Sequence, residues 1–186
     1  MTAAADYRAL ETLCDGQKVE IRALRPSDRE GWLAAFRRAS AETLHHRLFA
    51  VMRVPTEAEV DYFLNIDFVK HVALVAMTHE NGVPTIIGVC RYVVVQPGQA
   101  EIAFAVADDF QRKGLGTALM RHLAQIARNA GLKEFVADVM AENSPMLKVF
   151  DRSGLDMTTT TEYPVVRVVL RFPLPKMDAG VALGNH

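Results

Sequence analysis

Two hydrophobic periodicities divide the chain. "HVALVAMTH" at 71–79, "PTIIGVCRYVVVQ" at 84–96 and "AEIAFAVAD" at 100–108 are apolar in runs and in period-two alternation. "ENG" at 80–82 and Pro97-Gly98 separate them, which predicts a three-stranded meander. The period then lengthens. "TALMRHLAQIARNA" at 117–130 reads as an amphipathic helix that closes near Gly131, a C′ glycine. "KEFVADVM" at 133–140 predicts another strand. Asn143-Ser144-Pro145 open a helix, with Ser144 read as N-cap and Pro145 as first helical residue, and Gly154 ends it. "DMTTTTEY" and "VVRVVLRF" predict an antiparallel pair at 156–172.

Upstream, "VEIRALR" at 19–25 alternates as a strand, and Pro26-Ser27-Asp28 start a helix to about Arg38 with Trp32, Leu33 and Phe36 on one side. Ser40 is expected to cap a second short helix, "AETLHHRLF". Thr56 and Glu59 form a T-x-x-E capping box before "EAEVDYFLN". The Ala-rich residues 1–16 are expected to be a loose helical extension or disordered, and the tail after 172 unstructured. These elements predict one domain of mixed α/β (α+β) class. Its expected limits are an extension at 1–17, the domain at 18–172 and a flexible tail at 173–186.

Composition narrows the function. The chain has 186 residues, half of them hydrophobic, and a net charge of −1. That excludes a global electrostatic pull toward nucleic acid or an anionic membrane, so any anion site must be local. Cys14 and Cys90 stand far apart with no metal-ligand spacing, which argues against a disulfide framework or structural zinc. There is no signal-peptide pattern and no apolar run of transmembrane length, so a cytoplasmic protein is expected.

Between the third strand of the meander and its helix lies Gln111-Arg112-Lys113-Gly114-Leu115-Gly116, "QRKGLG". Unpartnered N–H groups at a helix start, the helix dipole and glycines that admit close approach make an anion site. A Walker loop is absent, and a dinucleotide fingerprint fails because Leu119 stands where its third glycine belongs. The pattern [Q/R]-x-x-G-x-[G/A] matches in full. The preceding strand directs Ile102, Phe104 and Val106 to one face, and Glu101, Ala103, Ala105 and Ala107 to the other. The alanines leave room for something thin beside the sheet.

"AEIAFAVADDFQRKGLGTALMRHL" and "NSPMLKVFDRSGL" resemble the GNAT superfamily of N-acetyltransferases over residues 18–172. The resemblance implies a central, mostly antiparallel sheet flanked by helices, with acetyl-CoA as acyl donor and no metal. It implies that Gln111, Arg112, Lys113, Gly114, Leu115 and Gly116, with Thr117, hold the pyrophosphate. The pantetheine arm would run along Phe104, Ala105 and Val106, and Asn143 would touch the cofactor. The openings "IRALRPSDREGWLAAFRRASAETLHHRLF" and "NIDFVKHVALVAM" resemble bacterial Pat-type protein lysine acetyltransferases, which implies a lysine acceptor and Glu101 as general base. Deprotonating a lysine at pH 7 costs roughly 4.6 kcal/mol, which a positioned base offsets in part. The structural alternative for Glu101 is a rim carboxylate paired with Arg91 or Arg22.

The family commonly places a tyrosine general acid seven residues after the asparagine. Here that residue is Phe150, which cannot donate a proton; it is assigned to packing against the cofactor arm or the core. His45, His46, Arg37 and Arg38 read as solvated helix positions, His71 as a strand start near the acceptor side, and Glu59 and Asp67 as helix-face carboxylates more than an acidic acceptor rim. The competing functions are acetylation of a small amine, a CoA-binding module without turnover and a nucleotide-binding domain. A monomer or a homodimer fits equally.

Overall fold

The computed structural model describes residues 4–39 and 55–173. The described elements are β1 (Arg8–Thr12), β2 (Lys18–Ala23), α1 (Arg29–Arg38), α2 (Glu57–Leu64), β3 (His71–Glu80), β4 (Val83–Gln96), β5 (Gln99–Val106), α3 (Leu115–Asn129), β6 (Glu134–Met140), α4 (Ser144–Asp151), β7 (Asp156–Glu162) and β8 (Val165–Arg171). The strands form one sheet in the order β1-β2-β3-β4-β5-β6-β8-β7. Every pair is antiparallel except β5–β6, which is parallel. The mostly antiparallel sheet with flanking helices is therefore the one expected.

Two apolar clusters cover the sheet. One gathers Ile21, Val72, Leu74, Tyr92 and Ile102 with Leu119 and Leu123 of α3 and Phe150 of α4. The other gathers Ala73, Val75 and Val89 with Trp32 of α1 and Val60 and Leu64 of α2. Alternate residues of β3 thus enter opposite clusters, which explains its nearly unbroken apolar run. At Gly88 a Cβ would stand 3.1 Å from Leu119 Cδ1 and 3.3 Å from Leu115 Cδ2, so this glycine sets how close α3 comes to the sheet.

The helix ends follow local chemistry. Thr56 and Glu59 make the reciprocal capping box of α2. At the end of α3, Gly131 N–H donates to Arg128 C=O and Leu132 N–H to Ala127 C=O, both at 3.0 Å. With Gly131 at φ +81° this is a Schellman motif. The start of α4 corrects one expectation: its N-cap is Asn143, whose Oδ1 accepts Met146 N–H at 3.2 Å, and Ser144 is already helical. Pro145 then falls at the second helical position, where its missing donor is equally harmless.

The N-terminal segment is a second correction. Residues 8–12 are neither helical nor disordered; β1 pairs along its length with β2. Tyr7, just before β1, and Glu11 within it face inward and both bond to His122, a buried residue of α3: Tyr7 Oη meets Nδ1, and Glu11 Oε1 meets Nε2 at 2.7 Å. The helix expected at 41–49 and the tail after 173 lie outside the described residues. Among the described residues no helix is long and apolar enough to cross a membrane, and no side-chain group could hold a metal ion.

At Gly131 an added Cβ meets nothing within 4 Å, so Gly131→Ala tests backbone strain alone. We expect a loss of about 1 kcal/mol in urea unfolding and a smaller one for Gly131→Asn, which tolerates the left-handed region. An unchanged midpoint for the alanine variant would contradict this account of the helix end.

Candidate active site

The site is built where β5 leaves β6. They pair over three positions only, Gln99↔Glu134, Ala100↔Phe135 and Glu101↔Val136. The junction is clamped below: Gly98 C=O accepts from Lys133 N–H (2.7 Å) and Glu134 N–H (3.1 Å), and Gln99 Nε2 donates to Glu134 Oε1 (2.6 Å). Beyond Glu101 the strands part, while β5 stays paired with β4 from Glu101 to Val106. Ala107 N–H donates to Ile87 C=O at 2.9 Å, and this fixes the phase of the β4–β5 ladder. Backbone groups of odd-numbered residues turn to β4; those of Phe104 and Val106 turn into the gap. One is already used, since Val106 C=O accepts from Gln111 Nε2 at 3.2 Å. The register irregularity of the β4–β5 pair falls at Val94/Gln96, below Glu101, so the gap comes from divergence of β5 and β6 rather than from a bulge in β5.

The gap leads to the start of α3. Gly114 occupies the N-cap at φ +87°, with no side-chain cap, and its C=O accepts the first helical bond from Ala118 N–H at 3.0 Å. The N–H groups of Leu115, Gly116 and Thr117 thus precede the helix's own ladder, as an anion site requires. Arg112 is exposed and held at φ +60°. Lys113 pairs with Asp15 (Nζ–Oδ2 3.0 Å) and lies 5.1 Å from the Phe110 ring centroid. Leu115 contributes only backbone, because its side chain is core. A Cβ at Gly116 would meet Val149 Cγ2 at 3.3 Å, so that glycine also lets α4 pack beside the loop.

Asn143 uses its Oδ1 to cap α4. Phe150 is 1% exposed and meets Phe104 edge-on, with ring centroids 5.9 Å apart. Of its two expected roles, the structure gives it the core, one ring away from the gap.

Glu101 is exposed at the last β5–β6 pair, and neither expected partner holds it. Arg22 forms a two-pronged bond with Asp28 (2.8 and 2.7 Å). Arg91, 3% exposed, donates from Nη1 to Phe63 C=O (3.2 Å), contacts His71 Nε2 (3.0 Å) and sits 4.6 Å from the Phe63 ring centroid. Burial, with the neighbouring Arg91 charge, pushes His71 down from its ordinary 6.5 to about 4. The two carboxylates considered as an acceptor rim are engaged. Glu59 caps α2, and Asp67 accepts the backbone N–H groups of His71, Val69 and Lys70, which hold it below the usual carboxylate range. On the alanine side of β5 a cavity of about 60 Å³ lies beside α1, with Trp32, Phe36, Val89 and Ala105 in its lining. Arg38 pairs with Glu80, while His45 and His46 lie outside the described residues.

Sequence reasoning missed the buried Arg91–His71 pair as a unit, although a charge inside "VCRYVVV" signals it. It also missed the contact of the β1–β2 turn with the glycine loop, which no local pattern announces.

The acetyltransferase (GNAT) family model matches residues 34–155. An acetyltransferase of Pseudomonas aeruginosa is 37% identical over 138 residues, 74% of each chain. Acetyltransferase Pat of Mycolicibacterium smegmatis is 36% identical over 141 residues, 75% of this chain; the chain spans 41% of that relative's length. The GNAT domain of S. lividans PAT superposes with a TM-score of 0.80 at 30% identity, covering 89% of this chain and 97% of that one.

Two measurements check the site's physics. The His71 shift makes the neutral imidazole the folded form, so its contribution to stability is complete above pH 6.5 and lost as pH falls toward 4. We expect a loss on the order of 3 kcal/mol over that interval in wild type, absent in His71→Gln; equal acid slopes would refute the assignment. For the loop, calorimetric titration with acetyl-CoA should give saturable binding in wild type and none in the Arg112→Ala, Gly114→Val double variant. Native-like affinity in that variant would place the anion elsewhere.

Proposed function

The chain belongs to the acetyltransferase (GNAT) family, and from that premise we propose that it acetylates a lysine side chain of a protein with Glu101 as general base. It is an acetyl-CoA-dependent N-acetyltransferase. The observation that carries the proposal is the continuity of the β5–β6 gap with the uncapped start of α3, with a carboxylate at the gap's inner end.

The residues present fit acetyl-CoA, which supplies an activated acyl thioester when bound. Open N–H groups at Leu115–Thr117 and the charge of Arg112 suit the diphosphate. The backbone edge at Phe104 and Val106 suits an amide-bearing arm, which would take the place of the missing β6 rungs. An N–H group of that β5 edge would stabilise negative charge developing on a thioester oxygen.

Glu101 would accept a proton from the incoming ammonium, directly or through a water, and leave the neutral amine that attacks. Its freedom from ion pairing among the described residues supports this role, because a carboxylate held by an arginine is a poorer base. Phe150 has no proton to give and is buried behind Phe104, so this chain offers no tyrosine acid there. The proton that completes the departing thiol would come from solvent.

Among the described residues, Glu101 is exposed rather than enclosed, and Glu59 and Asp67, the two carboxylates weighed as an acidic rim, are engaged in a cap and a turn, which favours a protein lysine over a small amine. We expect Glu101→Gln to fold and to bind acetyl-CoA as wild type does, with turnover on a lysine-containing acceptor reduced about 10²–10⁴-fold. Turnover within threefold of wild type would sink the assignment of Glu101.

A further inference from the structure

The β1–β2 turn closes against the glycine loop. Leu13 N–H donates to Gln17 C=O (2.8 Å) and Gly16 N–H to Leu13 C=O (2.9 Å), with Gly16 at φ +84°. This is a three-residue hairpin loop ending on a left-handed glycine. Two ties cross from it to Lys113: Cys14 N–H donates to Lys113 C=O at 3.1 Å, and Asp15 Oδ2 pairs with Lys113 Nζ at 3.0 Å. The Cys14 side chain also lies against the loop, with Sγ 3.1 Å from where a Cβ on Gly114 would stand.

The tie to the carbonyl has a geometric consequence. In a trans peptide the C=O and the following N–H point in opposite directions. Holding Lys113 C=O toward the turn therefore aims Gly114 N–H away from it. This peptide joins Lys113 to Gly114, which stands at φ +87°, and follows the left-handed Arg112 at φ +60°. Flanking glycine freedom makes such a peptide plane easy to turn over, and a turned plane would present a carbonyl where an anion needs a donor. We propose that the β1–β2 turn is a positioning element of the cofactor loop: Cys14 N–H, steadied by the Asp15–Lys113 pair, fixes the Lys113–Gly114 peptide so that Gly114 N–H joins the donors at the start of α3. The proposal rests on the reading that residues 111–117 receive the diphosphate of acetyl-CoA.

The backbone donor can be removed selectively. Cys14 is the second residue of a turn closed from Leu13 to Gly16, a position that accepts proline. Cys14→Pro deletes the N–H; Cys14→Ala keeps it and removes only the thiol. Binding is measured by calorimetry with two probes: CoA, which carries the diphosphate, and pantetheine, which does not. We expect Cys14→Pro to weaken CoA on the order of tenfold, as for a lost hydrogen bond to a charged group. Pantetheine affinity should not change, and Cys14→Ala should match wild type with both. Unchanged CoA affinity in Cys14→Pro, or equal weakening of both probes, overturns the proposal.

A second measurement needs no variant. In wild type the Cys14 amide proton resonance should shift on adding CoA and stay in place on adding pantetheine. A resonance unmoved by CoA overturns the proposal even if Cys14→Pro fails to fold. Loss of CoA binding in the Arg112→Ala, Gly114→Val variant alongside a normal Cys14→Pro would defeat the brace and leave the loop reading intact. Normal binding in the double variant would defeat the loop reading itself.

Discussion

β5 and β6 run side by side for three residues, clamped at their base by two N–H groups on the carbonyl of Gly98, and then part. Backbone donors and acceptors inside a protein are normally paired, so a strand that loses its neighbour must find other partners or meet water. Here β5 keeps β4 on one side and exposes Phe104 and Val106 on the other. The rest of the arrangement follows from that split. The loop after β5 folds back so that Gln111 satisfies Val106 C=O, and this places the uncapped start of α3 at the mouth of the gap. The carboxylate of Glu101 stands at the opposite end, on the last paired residue.

Much of this was legible in sequence because each signal was local. The meander read cleanly since β3 and β4 are covered on both faces and flanked by turns with left-handed glycines. The Gly131 stop and the Thr56–Glu59 cap involve residues within a few positions of each other. The "QRKGLG" string carried the loop, and alternation in "EIAFAVA" separated the alanine face from the core face. β1 was not legible, for a specific reason. Its inward positions include Glu11, satisfied by His122 and Arg121, while Leu10 points outward at 77% exposure. The apolar pattern is inverted, and only a partner more than a hundred residues away makes sense of it. Ser144 against Asn143 is a milder case: both are good N-cap residues, and backbone geometry chose between them.

The gap itself had a sequence correlate but no sequence location. Strand divergence depends on where two chains cease to be parallel, which the clamp at Gly98, Gln99, Lys133 and Glu134 decides. Arg91 illustrates the same limit. Its charge inside an apolar strand is conspicuous, but the partners that make burial tolerable are a carbonyl and a ring from α2 and an imidazole from β3.

The sheet is also an unevenly joined object. Its eight strands are knitted by antiparallel ladders into two blocks, β1–β5 and β6–β8–β7, joined within the sheet by the three-residue parallel seam. Cooperative units in proteins tend to follow such seams. A ligand arm lying in the gap would supply rungs to the first block and contacts to the second, acting as a partial ninth strand. Amide hydrogen exchange would then report binding less by protection at the loop than by the two blocks beginning to open together.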